Sequence, residues 1–546
     1  MTVGDVAESG NPRTDPSTRS ADYEAMVPYW NKVDTILGGT EAMRLAGEKY
    51  LPRFQEEQPN SKDSRGGSYD PYTLRLAKTP FTNIYEDILR NLSAKPFGRE
   101  VKLKDAPTEY ETLEENIDGM GRSLHVFANE WFRDALNHAI SWVLVDYSKP
   151  TPRADGFALT KADEAAQNLR PYWCFIPATA VIAVYSDWEN QIEIITHARV
   201  LEPQITLDGY LEVLVERVRV MDREVIGRDI AGKPNKWGVP TYKLWELIRP
   251  PPNSTSPQIW QVVDEGVYTI GVIPLVPFIT GERKVGSYII APPLKTVADL
   301  QIQEYNEESN LQNILDLTGF PMYAGIGVDK PEDPLVVGPR SVVWIPPPAA
   351  GPQGDFKAVE PAGMSIKIVF DKLQNTRTEM RDLGMQPLTQ SNLTVITTGQ
   401  VAVKANSQVM AWAIRFADAL EQCWQLTADW LGDATFEPEV LVTKDFVAGM
   451  NDGVGFTADM QLRTNKDISG EAIVDAAIRY GYLPEDFDYA ADQEVVAKEA
   501  EDAMANTMVT IDPVTGKPLQ QPLATTPPPP KSNGSTQSAQ PPPTKQ

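Results

Sequence analysis

The sequence predicts an α+β protein, mainly helical, with an antiparallel sheet between two helical stretches. Three observations carry this. Apolar residues recur at three-, four- or seven-residue steps from Tyr23 to about Tyr147 and again from Leu294 onward. Between Arg170 and about Thr280 the period falls toward two. The chain, 546 residues with 42% hydrophobic side chains, is long enough to build cores for both patterns.

In chain order, residues 1–22 are rich in Asp, Glu, Ser, Asn and Pro, lack a basic-then-apolar leader pattern, and are expected to form a disordered arm. From Tyr110 to Val145, Leu113, Ile117, Leu124, Phe127, Trp131, Leu136 and Ile140 form a core-facing helical stripe, interrupted at Gly119 and Gly121. The runs Gln191 to Leu201, Tyr210 to Met221, Tyr242 to Ile248 and Gln258 to Tyr268 read as antiparallel strands. Alternation at Leu211, Val213 and Val215 slips by one residue before Val218 and Val220, which predicts a bulge. Val267 to Thr280 is nearly uncharged, but it is short for a membrane span and broken by Pro274 and Pro277. It reads as a buried strand and turn, and no membrane partner is expected.

Leu294 to Leu317 follows as a helix with Leu294, Ala298, Ile302 and Tyr305 on one face and an almost wholly polar middle, Gln303 to Asn313, so it has little core of its own. Gly319 to Pro361 holds nine prolines and six glycines and reads as a small strand-and-turn module with apolar pieces at Pro321 to Ile326, Ser341 to Ile345 and Phe356 to Val359. A second helix, Met364 to Leu383, carries a seam of Ile366, Val369, Leu373, Thr376, Met380 and Leu383. Met385 to Gly399 has no charge, and Thr397 and Gln400 stand at capping-box spacing before a third helix, Gln400 to Leu431, about 48 Å long. Beyond Pro438 come an expected N-cap at Ser469, an amphipathic segment Glu471 to Tyr480 and an acidic stretch, Pro484 to Pro513. Residues 507–546, dominated by Pro, Gln, Thr and Ser, are expected to be disordered.

Composition excludes several classes. Fifty Lys and Arg against seventy-five Asp and Glu give a net charge of −25, the wrong sign for a tight binder of free nucleic acid. Two cysteines, Cys174 and Cys423, make no disulfide scaffold. Thr515-Gly516-Lys517 is followed by Pro518 and makes no phosphate loop. His125, His138 and His197 are too scattered for a metal cluster and read as structural or surface residues, and Asp486 with Asp488 reads as a solvated acidic face. Trp412, Trp424 and Trp430 are expected in the core rather than on a base-stacking surface. No catalytic, cofactor-binding or metal-ligating residue is assigned, and no enzymatic activity is expected.

The order of these modules resembles the portal proteins of tailed bacteriophages, from roughly Tyr23 to Ala503. The resemblance rests on Tyr50-Leu51-Pro52-Arg53-Phe54, Tyr72 with Arg75, Phe81 with Asn83, and Lys95-Pro96-Phe97. It rests further on Ala291-Pro292-Pro293-Leu294, Gly338-Pro339 before Val342-Val343-Trp344, Val359-Glu360-Pro361, and Ala428-Asp429-Trp430-Leu431-Gly432.

The resemblance implies a wing over 23–290, a first stem helix over 291–317, a clip over 318–362, a second stem helix over 363–384 and a tunnel loop over 385–399. It continues with a long wing helix and connection over 400–444 and a helical crown over 445–506. It implies a twelve-subunit ring at the head–tail vertex of a virion, assembled in the host cytoplasm, a channel for double-stranded DNA held only transiently and non-specifically. The implied partners are the terminase large subunit, which brings the motor activity, a head-completion or tail adaptor protein, and the major capsid and scaffold proteins. Gln390, Ser391, Asn392, Leu393 and Thr394 would form the tunnel loop. Lys295, Glu304, Glu307 and Glu308 would be stem lumen candidates, and Asp329, Lys330, Glu332 and Asp333 clip docking candidates. An acidic lumen, with Asp299 and Asp316 adding to the stem charge, would let DNA slide because it forms few phosphate contacts. Two competing readings are an oligomeric virion or scaffold component without a channel and a multidomain enzyme with a site assembled from distant residues.

Overall fold

A computed structural model describes residues 6–58, 70–151, 160, 163, 166–250, 257–319, 322–326, 355–359, 363–384, 395–443, 453–465, 467–479, 482–483, 487 and 489–507. The chain divides into two compact units, Met1–Val447 and Ala448–Gln546. It is a mixed fold of helices and antiparallel sheets.

Helices dominate the start of the first unit. α1 (Ala21–Leu37) begins where the Ser20 hydroxyl accepts the Tyr23 N–H at 3.1 Å. α2 (Gly39–Ala46) follows, and α3 (Pro71–Lys78) starts on Asp70 with proline at its first position. α4 (Ile84–Ala94) is capped by Asn83, which accepts the Glu86 N–H at 3.0 Å. After α5 (Thr108–Glu115), α6 (Leu124–His138) ends at Ala139, whose φ of +71° turns the chain out of the helix.

The residues before that helical stretch are not a disordered arm from Val6 onward. β1 (Val6–Glu8) pairs antiparallel with the strand Ile259–Val267, and the Asp15 carboxylate accepts the Gly10 and Ser17 N–H groups at 2.6 and 2.8 Å. Short polar segments of this kind are ordered by backbone and Asx hydrogen bonds, which composition does not register. The helical expectation also fails at Ile140. β2 (Ile140–Tyr147) is a strand, buried from Ile140 to Val145, because this run, apolar except for Ser141, suits a strand covered on both faces.

β2 is the middle strand of a three-stranded sheet with β3 (Pro171–Ile176) and, on its other side, Leu275–Ile279. The larger, six-stranded sheet contains β4 (Val181–Glu189) and β5 (Ile192–Leu201) at one edge. The expected single strand Tyr210 to Met221 is in fact two. β6 (Gln204–Asp208) and β7 (Leu211–Val215) form a separate hairpin, and β8 (Arg217–Asp222) enters the large sheet beside β5. The slip in alternation is therefore a change of sheet at Glu216 rather than a bulge. β9 (Thr241–Ile248) and β10 (Ile259–Val267) complete the large sheet up to β1. β11 (Leu275–Ile279) is the strand expected within Val267 to Thr280, and its edge position against β2 tolerates Pro277.

Next come α7 (Lys295–Gly319), β12 (Met322–Ile326), β13 (Asp355–Val359), α8 (Gly363–Leu383) and α9 (Val395–Leu431). β12 and β13 form an antiparallel ladder from Met322 opposite Val359 to Ile326 opposite Asp355. α9 has 37 residues and starts before Thr397, so Thr397 lies within the helix and is not its cap. From Val409 to Ala428 its apolar face is buried in this chain's own core. Phe416 packs on Phe278, Phe132, Trp131 and Phe97 with ring centroids 4.7 to 6.0 Å apart. Trp412 and Trp424 are buried, Trp430 is half-buried, and the Trp412 and Trp430 indoles donate to the carbonyls of Thr280 and Val145. These tryptophans are core residues, as their helical spacing suggests.

The second unit contains α10 (Gly453–Thr464), α11 (Gly470–Arg479) and α12 (Tyr489–Thr507). Ser469 caps α11 by accepting the Ala472 N–H at 3.1 Å. Ser341 to Ile345, Asp486, Asp488 and residues 508–546 lie outside the described residues. Among the described residues, no helix is long and apolar enough to cross a membrane.

Candidate functional site

The candidate site is the helical hairpin of α7 and α8 with its seam. The partners run in opposite directions: Glu304 meets Arg377, and Glu307 meets Thr376 and Lys372. With the β12–β13 ladder between them, the two helices form an antiparallel hairpin, about 37 and 32 Å long at 1.5 Å per residue.

One side of its polar middle is buried, while Gln303 and Asn310 are exposed. Gln301, Glu304, Glu307 and Ser309 are all buried, and each has partners. Gln301 Oε1 accepts the Ile84 and Tyr85 N–H groups at the start of α4, and its Nε2 donates to the Thr82 carbonyl and Glu304. Arg377 donates to Glu304 Oε1 from Nε and Nη2 and to Glu308 Oε2 from Nη2, at 2.7 to 2.9 Å. Thr376 and Gln303 both donate to Glu307 at 2.8 Å. Burial pushes the Glu304 carboxyl above its ordinary value, and Arg377 offsets part of that push.

The family-like motifs converge here as packing. Arg75 is buried, bonds both oxygens of Glu57 at 2.8 Å, and donates to the Ser309 hydroxyl at 3.0 Å and the Pro52 carbonyl at 2.7 Å. Its guanidinium lies 3.9 Å from the Phe54 ring centroid. Phe81 packs edge-on against Tyr305 of α7, and Phe97 against Phe416 of α9. These residues tie the first helices to the hairpin and to the long helix.

The stem lumen candidates are placed differently from the expectation. Glu304 is 0% exposed and Glu307 6%, both turned into the seam, and Glu308 shares Arg377. Lys295 is exposed. The two further acids of α7 are also paired, Asp299 with Lys32 and Asp316 with Lys78. The acidic side chains of this helix are thus paired within the chain with cations of α1, α3 and α8. Arg377 was not singled out from sequence, and Arg75 was noted only with Tyr72 as part of the resemblance, not as a cation of this site. The signal available was Glu304 and Glu308 at four-residue spacing opposite the Thr376 to Met380 seam. Gln390, Ser391, Asn392, Leu393 and Thr394, and Asp329, Lys330, Glu332 and Asp333, lie outside the described residues.

The titratable groups elsewhere are structural. His138 is buried between Asp134 and Asp34, with ring nitrogens 2.8 and 2.7 Å from their carboxylates; burial opposes its charge, but the two aspartates raise its pKa to about 10. His125 Nδ1 accepts the Val101 N–H at 3.1 Å. Burial pushes the Cys174 thiol up to about 12 and the Cys423 thiol well up. Among the described residues, no group of three His, Cys, Asp or Glu side chains is placed to hold a metal ion.

A family model described as a domain of unknown function (DUF4055) matches residues 293–431, which span α7 to the end of α9. No curated protein matches the chain. Among solved structures, a chain from the neck of a native GTA particle computed with C12 symmetry is 9% identical with a TM-score of 0.37, covering 71% of this chain and 87% of that one. A chain from the neck of an empty GTA particle computed with C6 symmetry is 10% identical with a TM-score of 0.38, covering 74% and 90%. A chain from the virion of a native gene transfer agent particle is 10% identical with a TM-score of 0.38, covering 73% and 89%.

Proposed function

We propose that this chain is a portal-type subunit, a virion structural protein that assembles into a ring at one capsid vertex and forms a channel for double-stranded DNA. The observation that carries the proposal is the α7–α8 hairpin, headed by the β12–β13 ladder and followed, through residues 385–394, by the 37-residue α9. That is the chain order on which the sequence resemblance rests. In this reading the hairpin is the stem, the ladder belongs to the clip that docks the terminase large subunit and later a tail adaptor, and residues 385–394 border the DNA.

The reading assigns no catalytic step to the chain. Its contribution to DNA movement is a rigid conduit with few phosphate contacts, consistent with the net charge of −25. Because the α7 acids are paired within the subunit, the low DNA affinity is assigned to the overall charge balance and to the uncharged segment 390–396, not to a ring of stem carboxylates. Deleting residues 390–396 is expected to impair DNA packaging or retention in assembled particles. Unchanged packaging and retention would remove the tunnel role. The pairing of the α7 acids favours a second reading, an oligomeric virion component without a channel, and the presence or absence of an axial hole in purified assemblies decides between the two.

A further inference from the structure

We propose that the tip of the β4–β5 hairpin, residues 186–195, is a hinged flap that opens and closes a largely apolar cavity beside α9. The hairpin changes character halfway along. At its base Val181, Val184, Ala198 and Val200 are buried in the core, and β8 pairs with β5 from His197 to Leu201. Beyond that point β4 is an edge strand and β5 pairs with β4 alone among the described residues. The tip is therefore a two-stranded ribbon, which is marginal in water by itself. Trp188 and Ile192, beside its turn, are exposed.

A hinge separates the two parts. Tyr185 pairs with His197 and Ser186 with Ile195, which leaves Thr196 as the extra residue of a bulge. Thr196 is itself pinned: its hydroxyl donates to the Tyr185 carbonyl at 3.2 Å and its carbonyl accepts the Arg223 N–H at 2.9 Å. A bulge fixed in this way gives the ribbon beyond it a pivot and leaves the base in place.

Under the tip lies a half-open cavity of about 590 Å³, with Ile192 and Ile195 of the flap, Val272 and Val276 of the body, and Gln422 and Leu426 of α9 in its wall. Layers packed at the density of a protein core leave no such gap, so the tip has room to move. An ion pair ties it to the body across this space: both carboxylate oxygens of Glu193 accept from Arg283, at 2.5 and 3.1 Å. Arg283 is held from behind, since its Nε donates to the Ser287 carbonyl and Asp22 accepts the Ser287 hydroxyl and the Tyr288 N–H. Glu193 and Arg283 both keep contact with solvent, and pairs of that kind part and re-form at little cost. The holds at Glu189 are longer, 3.5 Å to Arg223 and 3.3 Å to the Trp237 N–H. Glu193 is thus the latch, and opening it bares the flank of α9 at Gln422 and Leu426. The flap belongs to the single subunit and does not depend on the ring reading.

Amide hydrogen exchange of the full chain tests this. In the wild-type chain the amides of 186–189 and 192–195 are expected to exchange at least tenfold faster than those of 181–184 and 198–200. Glu193→Gln is expected to speed the tip a further tenfold or more, to raise the fluorescence of the apolar-surface dye anilinonaphthalene sulfonate, and to leave the base unchanged. Arg283→Gln should do the same, and the double variant no more than either single one, because both remove one latch. Tip and base exchanging at one rate in the wild-type chain overturns the flap, and so does a Glu193→Gln chain that loosens both sides of Thr196 alike. A tip that exchanges no faster in either single variant overturns the latch and the flap with it.

Discussion

Arg377 of α8 places two donors, Nε and Nη2, on a single oxygen of Glu304 at 2.9 and 2.7 Å, and Glu304 is wholly buried. The pair holds the two helices of the hairpin in one register, because sliding α8 by a turn would leave a buried carboxylate without its cation. It therefore makes the hairpin a rigid element, which the proposed conduit would need.

Removing the guanidinium tests this. Arg377→Ala is expected to destabilise the first unit by about 3–5 kcal/mol, the range for breaking a buried pair by deleting one partner. Adding Glu304→Gln should recover part of the loss, because a neutral amide is less costly to bury than an unpaired carboxylate. Urea unfolding of the two variants measures both. Equal stability of the single and double variants would mean that Glu304 is not held charged by Arg377.

His138 gives a pH signature. Its pKa is raised from 6.5 to about 10 in the folded chain by Asp134 and Asp34, so its stabilising contribution is fully present below about pH 6.5 and is lost as pH rises through about 10. Unfolding free energy measured between pH 6 and 10 should fall with a slope that His138→Gln removes. A slope unchanged in the variant would assign the alkaline loss to other groups.

Gly384, just past α8, is the third test. A Cβ built there would lie 2.5 Å from Ile88 Cδ1, and Ile88 is fully buried in α4 and has little room to shift. Gly384→Ala is expected to cost about 1–3 kcal/mol through overpacking, and Ile88→Val to restore part of it. Thermal melts of the single and double variants check this. No loss in the single variant would show that α4 and α8 are less tightly opposed than the structure has them.

Much of the fold was legible because periodicity reports local geometry. Of the six seam residues of the second helix, Leu373, Thr376 and Met380 are buried as their spacing indicates, Ile366 and Val369 are half-buried and Leu383 is exposed, and the two apolar pieces at the ends of the Pro/Gly-rich segment form the β12–β13 ladder. Ile140 does not follow the helical stripe because a short, mostly apolar run fits a helix and a covered strand equally, and only the left-handed Ala139 before it decides between them. The split at Glu216 is a tertiary choice of sheet, which local alternation records only as a slip. The candidate site was the least legible part. The acids of α7 are visible in sequence, but Lys32, Lys78 and Arg377, which pair with them, lie far off along the chain, so an unpaired acidic face and a satisfied seam look alike until the chain is folded.

The most direct test of the central claim is single-particle imaging of the purified full-length chain after assembly. The portal reading predicts a closed ring of identical subunits with an axial channel wide enough for a DNA duplex, the α7–α8 hairpins standing around that channel and residues 385–394 at its wall. A closed assembly without an axial channel, or a chain that stays monomeric under every assembly condition, would contradict it.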